Sequence, residues 1–171
     1  MGTFENISQE QLRIFSGEHL FYEIDMLYGV VDRLSALDRP QDPYTINALL
    51  EAYVIHTQVI LDFFYQPQMK ADDAKALHFI DDIRDWKKSI PPYDRYFRKF
   101  NRRRSREVVH LSYHRLDIKP EDKTWYLVKT TEHVKLVVNA FLDHANPEKL
   151  HPRMYELKRV VEDKFLQPEE D

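Results

Sequence analysis

The stretch Tyr44–Tyr65 reads YTINALLEAYVIHTQVILDFFY, and its pattern decides the fold class. Ile46, Leu49, Leu50, Tyr53, Thr57, Ile60, Leu61 and Phe64 recur at helical spacing and form one broad face. Ala48, Ala52, Ile55, Val59 and Phe63 widen that face almost all the way round. Only Asn47, Glu51, Gln58 and Asp62 leave a narrow polar stripe. A helix apolar on nearly every side belongs at the centre of a bundle, so this segment predicts an all-α protein built around it. His56 falls among the apolar positions and reads as a core histidine satisfied by one hydrogen bond.

On either side, prolines and polar clusters cut the chain into further helices. The first runs from Ser8 to Leu37, with Ser8 and Gln11 as a capping box. Its expected buried face is Leu12, Phe15, His19, Tyr22, Met26, Val30 and Leu34. A shorter helix spans Asp72 to Lys88 and carries Leu77, Ile80, Ile83 and Trp86. Another spans Tyr93 to Leu116, one starts at Pro120 and reaches His144, and a last one follows Asn146-Pro147 to Phe165. The tail from Gln167 to Asp171 reads as frayed. The economical arrangement is an up-and-down helical bundle, four long helices with shorter capping ones, in a single domain over 1–171.

Composition agrees. Hydrophobic residues make up 43% and aromatics 13%, enough to fill a core and to argue against disorder. Three glycines and no Asn-Gly or Asp-Gly pair disfavour turn-rich β architectures. The absence of cysteine excludes disulfides, thiolate metal sites and cysteine nucleophiles. No apolar run approaches a membrane span and no secretory leader is visible, so no membrane association and a cytoplasmic location are expected. No cofactor is expected either, because the Walker, Rossmann and nucleophile-elbow glycine patterns are missing. Glu18-His19 and Glu132-His133 are adjacent pairs, not the i, i+3 pairs of carboxylate-bridged centres, so no metal is expected.

Charge is unevenly placed. Between Pro92 and Arg115 eight basic residues face two acidic ones, a net of +6 on a chain whose total is −4, so the rest carries −10. Such a stripe suits a polyanion or an acidic partner, or else is a solvated face paired to acidic neighbours. Within it, a continuous helix would put Arg103, Arg106 and His110 on one side, at spacings of three and four. Arginine grips phosphate with a planar fork of donors, and histidine moves protons near neutral pH. Together they could cleave RNA without a metal, the arginine steadying the phosphorane. The other reading keeps the arginines on the surface and packs His110 beside Val109 and Leu111. Glu51 and Asp62 could orient that imidazole from the preceding long helix, or pair with the arginines. Tyr113, His114 and Arg115 follow the motif as helix-end packing or as substrate contacts.

The run Arg103-x6-His110, within Val-Val-His-Leu-Ser-Tyr-His-Arg, resembles the Arg-x4-6-His motif of the HEPN superfamily. The segment Asn47–Tyr65 is similar to the corresponding helix of HEPN-like bacterial proteins, and the resemblance covers Phe21 to Leu116. It implies a helical bundle, often a homodimer. It implies either a metal-independent endoribonuclease of a defence or toxin–antitoxin system, or a non-catalytic relative that binds RNA or protein. An RNA and an antitoxin or acidic protein would be the partners. By that motif Arg103 is the phosphate-binding arginine and His110 the proton-transfer residue. Arg104 stands where the family often has Asn, Asp or His, so Arg103 and Arg104 share the claim to the motif position, with Arg106 in support.

Overall fold

Ser8 opens the first helix as expected. Its hydroxyl accepts from the Gln11 N–H at 3.2 Å, and the Gln11 side chain accepts from the Ser8 N–H at 2.9 Å. The structure is a computed structural model, and it describes residues 7–36, 42–66, 72–119 and 123–159. Helix α1 (Gln9–Phe15) passes through a π turn, Ser16–Leu20, into α2 (Phe21–Ser35) without leaving helical backbone. The extra residue in that turn rotates everything after it. The buried side is therefore Leu12, Ser16, Leu20, Ile24, Leu27 and Val31, whereas His19 and Tyr22 are exposed. Of the expected stripe, Leu12 and Val30 are buried and Phe15, Met26 and Leu34 pack half-buried against the core, whereas His19 and Tyr22 face solvent. The turn also brings Gly17 against His151, where a Cβ would stand 2.6 Å from the imidazole Cγ.

Helix α3 (Pro43–Tyr65) is the central element. Asp42 caps it by accepting from the Thr45 N–H at 3.0 Å, and Pro43 occupies the first turn, where its missing N–H costs nothing. Tyr53, Val54, Ile60 and Leu61 are fully buried. The polar stripe is only half as expected. Asn47 and Glu51 face solvent, but Gln58 is buried and Asp62 half-buried, while Ile55 and Val59 point outward. Gln58 and Asp62 tolerate the interior because they bond each other.

The remaining helices are α4 (Ile83–Ser89), α5 (Arg95–Arg104) and α6 (Leu127–His144). Phe63, Phe64, Phe79, Trp86 and Phe141 bind α3, α4 and α6 into one aromatic cluster, with ring centroids 5.0–6.3 Å apart. Such tilted and edge-on pairs add roughly 0.5–1.5 kcal/mol each beyond their buried area. No strand occurs among the described residues; one antiparallel bridge joins Ile80 to Ala145. The protein is all-helical, and no helix among the described residues is long and apolar enough to cross a membrane.

Several boundaries differ from expectation. The helix expected over Asp72–Lys88 is broken: a 3-10 turn, Ala76–His78, comes first, and Asp82 restarts the chain by capping α4. Helix α6 begins at Leu127, because Thr124 to Tyr126 are non-helical and Trp125 packs beside Phe100; Pro120 itself lies outside the described residues. After α6 come two 3-10 turns, Pro147–Lys149 and Pro152–Leu157, in place of a long helix. Met154 and Leu157 still plug the core between α2 and α6. Phe165 and the tail lie outside the described residues. Among the described residues the long rods are thus three, α1–α2, α3 and α6, and α5 is a shorter fourth.

Candidate functional site

Helix α5 carries the basic stripe, and its inner face explains its orientation. Asp94 caps it by accepting from the Phe97 N–H at 3.1 Å. Phe97 and Phe100 are buried, Phe97 lying 4.1 Å from the His133 ring and Phe100 5.1 Å from Trp125. With those rings inward, residues 95, 99, 102 and 106 fall on one outer side, at spacings of four, three and four. They border a groove of about 810 Å³. Its near wall is Arg95, Lys99, Arg102, Arg103 and Arg106; its far wall is His114, Asp117 and Ile118. Arg95, Arg102 and Arg106 make no ion pair among the described residues, so their charge remains directed at the groove.

Arg103 behaves differently. Its Nε and Nη2 donate to both carboxylate oxygens of Glu107, at 2.7 and 2.8 Å, and its Nη1 donates to the Thr124 carbonyl at 2.7 Å. The guanidinium lies 4.0 Å from the Trp125 ring centroid, and its side chain is only 14% exposed. Three of its five donors are engaged within the fold. It clamps the end of α5 to the segment before α6 and presents a fixed plane to the groove.

The helix does not continue to Leu116. It loosens into a second π turn, Ser105–Val109, and His110 is already extended, with φ −117° and ψ 135°. The residues beyond offer little to bury: Leu111 is 91% exposed and Tyr113 92%. A 3-10 turn, Tyr113–Asp117, folds back instead. Arg115 braces this return by donating to the Arg106 carbonyl at 3.2 Å and the His110 carbonyl at 3.1 Å. The expected single helical side for Arg103, Arg106 and His110 is therefore absent. Arg103 and Arg106 line the groove, and His110 is exposed and not among its lining residues. The histidine that does line it is His114, with Nδ1 3.8 Å from Asp117 Oδ2.

The supporting residues also separate. Arg104 turns to the other side of α5, where its Nη2 donates to Asn101 Oδ1 at 3.2 Å. Asp62 accepts from the Gln58 and Gln66 side chains, not from His110. Burial raises the Asp62 pKa, against the lowering pull of those amides and of the Arg104 charge. Glu51 is exposed and makes no hydrogen bond or ion pair among the described residues. Tyr113 points to solvent on the far turn. His56 is the satisfied core histidine its surroundings predict, with Nδ1 2.7 Å from Glu23 Oε2.

Two features escape the motif-based reading. One is the row at 95, 99, 102 and 106, whose spacing is visible in the sequence. The other is a side pocket of about 140 Å³ that shares Tyr96, Lys99 and Arg103 with the groove and adds Phe100, Trp125 and Tyr126. Its residues come from two segments more than 20 positions apart, which no local pattern joins. Two Glu-x-x-His pairs do exist, Glu107–His110 and Glu148–His151. Glu107 is occupied by Arg103, and no group of three His, Asp or Glu side chains able to hold a metal occurs among the described residues.

No family model matches the chain, and neither a curated protein nor a solved structure does.

Proposed function

We propose that this chain is a HEPN-like RNA-binding module that holds the phosphate backbone in the α5 groove. One observation carries the proposal: Arg95, Arg102 and Arg106 project into a single groove and make no ion pair among the described residues. Arginines left unpaired beside a cleft favour phosphate, which they grip through two donors each. The rest of the chain is acidic, which confines the attraction to this groove. The motif arginine, Arg103, is committed to Glu107 and Thr124, and His110 stands off the groove; both favour binding without cleavage.

The test is fluorescence anisotropy of a labelled RNA across a salt series. Three or four neutralised phosphates give a log–log slope of roughly −2 to −3 on a single strand. Arg102→Ala and Arg106→Ala are each expected to flatten it by about 0.7. Binding that is absent, or indifferent to salt, would refute the proposal. Metal-independent release of RNA fragments, lost in His110→Ala, would establish the nuclease instead. The homodimer implied by the resemblance belongs to the same proposal, with exposed Leu111, Tyr113 and Leu116 as its apolar contact. Sedimentation velocity of the intact chain checks it.

A further inference from the structure

We infer that the 140 Å³ side pocket takes one unpaired nucleobase, so that the groove selects single-stranded over duplex nucleic acid. This rests on the RNA-binding proposal and adds the form of nucleic acid to it. The cationic row from Arg95 to Arg106 covers eleven helical steps, about 16 Å at 1.5 Å per residue, which spans only a few nucleotides. The pocket opens from the side of that row, sharing Tyr96, Lys99 and Arg103 with the groove. A backbone lying on the row therefore passes directly before it.

The pocket is aromatic and held in shape before any ligand arrives. The Tyr96 hydroxyl is fixed against Thr130 Oγ1 at 2.8 Å. The Tyr126 ring stands 6.1 Å from Tyr96 at 69° and is 57% exposed, so it has an open face. Arg103 is held 4.0 Å from the Trp125 ring centroid by Glu107 and the Thr124 carbonyl, and a fixed guanidinium plane is itself a stacking surface for a base. Rigid aromatic walls beside a cationic track are what unpaired bases bind, because every base has a π face. A duplex keeps its bases stacked inside and has none to offer sideways. A polyanion without bases would engage the row alone.

The experiment compares three fluorescent competitors on the whole chain: a short single-stranded RNA, a blunt RNA duplex of the same length, and inorganic polyphosphate. Stacking of one base corresponds to roughly a 5- to 150-fold preference for the single strand over the duplex. Tyr126→Ala is expected to abolish that preference, and Tyr126→Phe to keep it. Equal affinity for strand and duplex in the parent chain would overturn the inference while leaving RNA binding intact. So would a preference that survives Tyr126→Ala. Failure to bind any of the three would instead remove the proposal beneath it. The strand-to-duplex ratio of the parent decides the matter even if the alanine variant does not fold.

Discussion

Two π turns interrupt helices among the described residues, and the chain leaves them differently. After Ser16–Leu20 it continues as α2 for fifteen residues. After Ser105–Val109 it stops, and His110 is extended. Local propensity does not explain the contrast, since neither turn is followed by proline or glycine in the next few residues. Burial does. Phe21, Ile24, Leu27 and Tyr28 enter the core after the first turn, whereas Leu111, Tyr113 and Leu116 after the second have nothing to pack against within the described chain. Helices in proteins persist where a face is buried. The stop at Val109 lets the chain fold back as the far wall of the groove.

The largest expected effect compares residues just beyond the two turns. Ile24→Ala removes a fully buried side chain and is expected to cost about 2–5 kcal/mol. Leu111→Ala removes a side chain in solvent and should change stability by less than about 0.5 kcal/mol. Urea denaturation of both variants measures the difference. Equal losses would mean that the segment after Val109 belongs to the core.

The next effect tests the root of α5. His133 accompanies Phe97 at 4.1 Å, and its Nε2 lies 2.9 Å from the Tyr65 hydroxyl. Burial lowers its pKa to about 4 from the usual 6.5. Above pH 6.5 the ring is neutral, folded or unfolded. As pH falls from there toward 4, the unfolded chain takes a proton that the folded one refuses. Stability therefore drops across that window, by about 3 kcal/mol in total. His133→Phe should remove this part of the slope while Tyr65 keeps its bond to the Pro91 carbonyl at 2.8 Å. Thermal melts of parent and variant from neutral to mildly acidic pH give the comparison.

A smaller effect concerns the clamp at the start of the second turn. Glu107→Gln leaves Arg103 with a weaker acceptor and should cost about 1–2 kcal/mol, for the pair is largely shielded from water. It also loosens the guanidinium beside the side pocket, so the preference for single-stranded RNA should fall along with the melting temperature. A preference that held while the melting temperature fell would mean that base binding does not need Arg103 clamped.

How much of this could be read from the residues alone follows the same division. The apolar face of α3, the Ser8 capping box and the buried role of His56 depend on local spacing, and the structure bears each of them out. The outward turn of His19 and Tyr22 is not legible, because a π turn adds one residue without a sequence mark and shifts the face around it, although Val30 still reaches the core. The pairing of Arg103 with His110 assumed a straight helix through that second turn. The competing bond from Arg103 to Thr124 joins residues 21 apart, so no periodicity announces it. The row at 95, 99, 102 and 106 is legible from its helical spacing, whereas the Arg-x6-His resemblance points to 103 and 104. The aromatic pocket required Trp125 and Tyr126 to fold onto α5, a tertiary fact.

The smallest effect tests whether the return after His110 is a packed element or a braced one. Arg115 supplies two donors to carbonyls at the frayed end of the turn, those of Arg106 and His110. Helix-end carbonyls need partners, but here water can substitute because His110 and Arg106 are both exposed. Arg115→Ala should therefore shift global stability by no more than about 0.5 kcal/mol. Amide exchange over Ser112–Asp117 should nevertheless quicken, since the brace is what closes that wall. RNA affinity should weaken with it, because the wall that carries His114 would no longer be held opposite the arginine row. If exchange there stayed slow in the variant, packing rather than Arg115 would be holding the wall, and the distinction between the two turns would lose its physical basis.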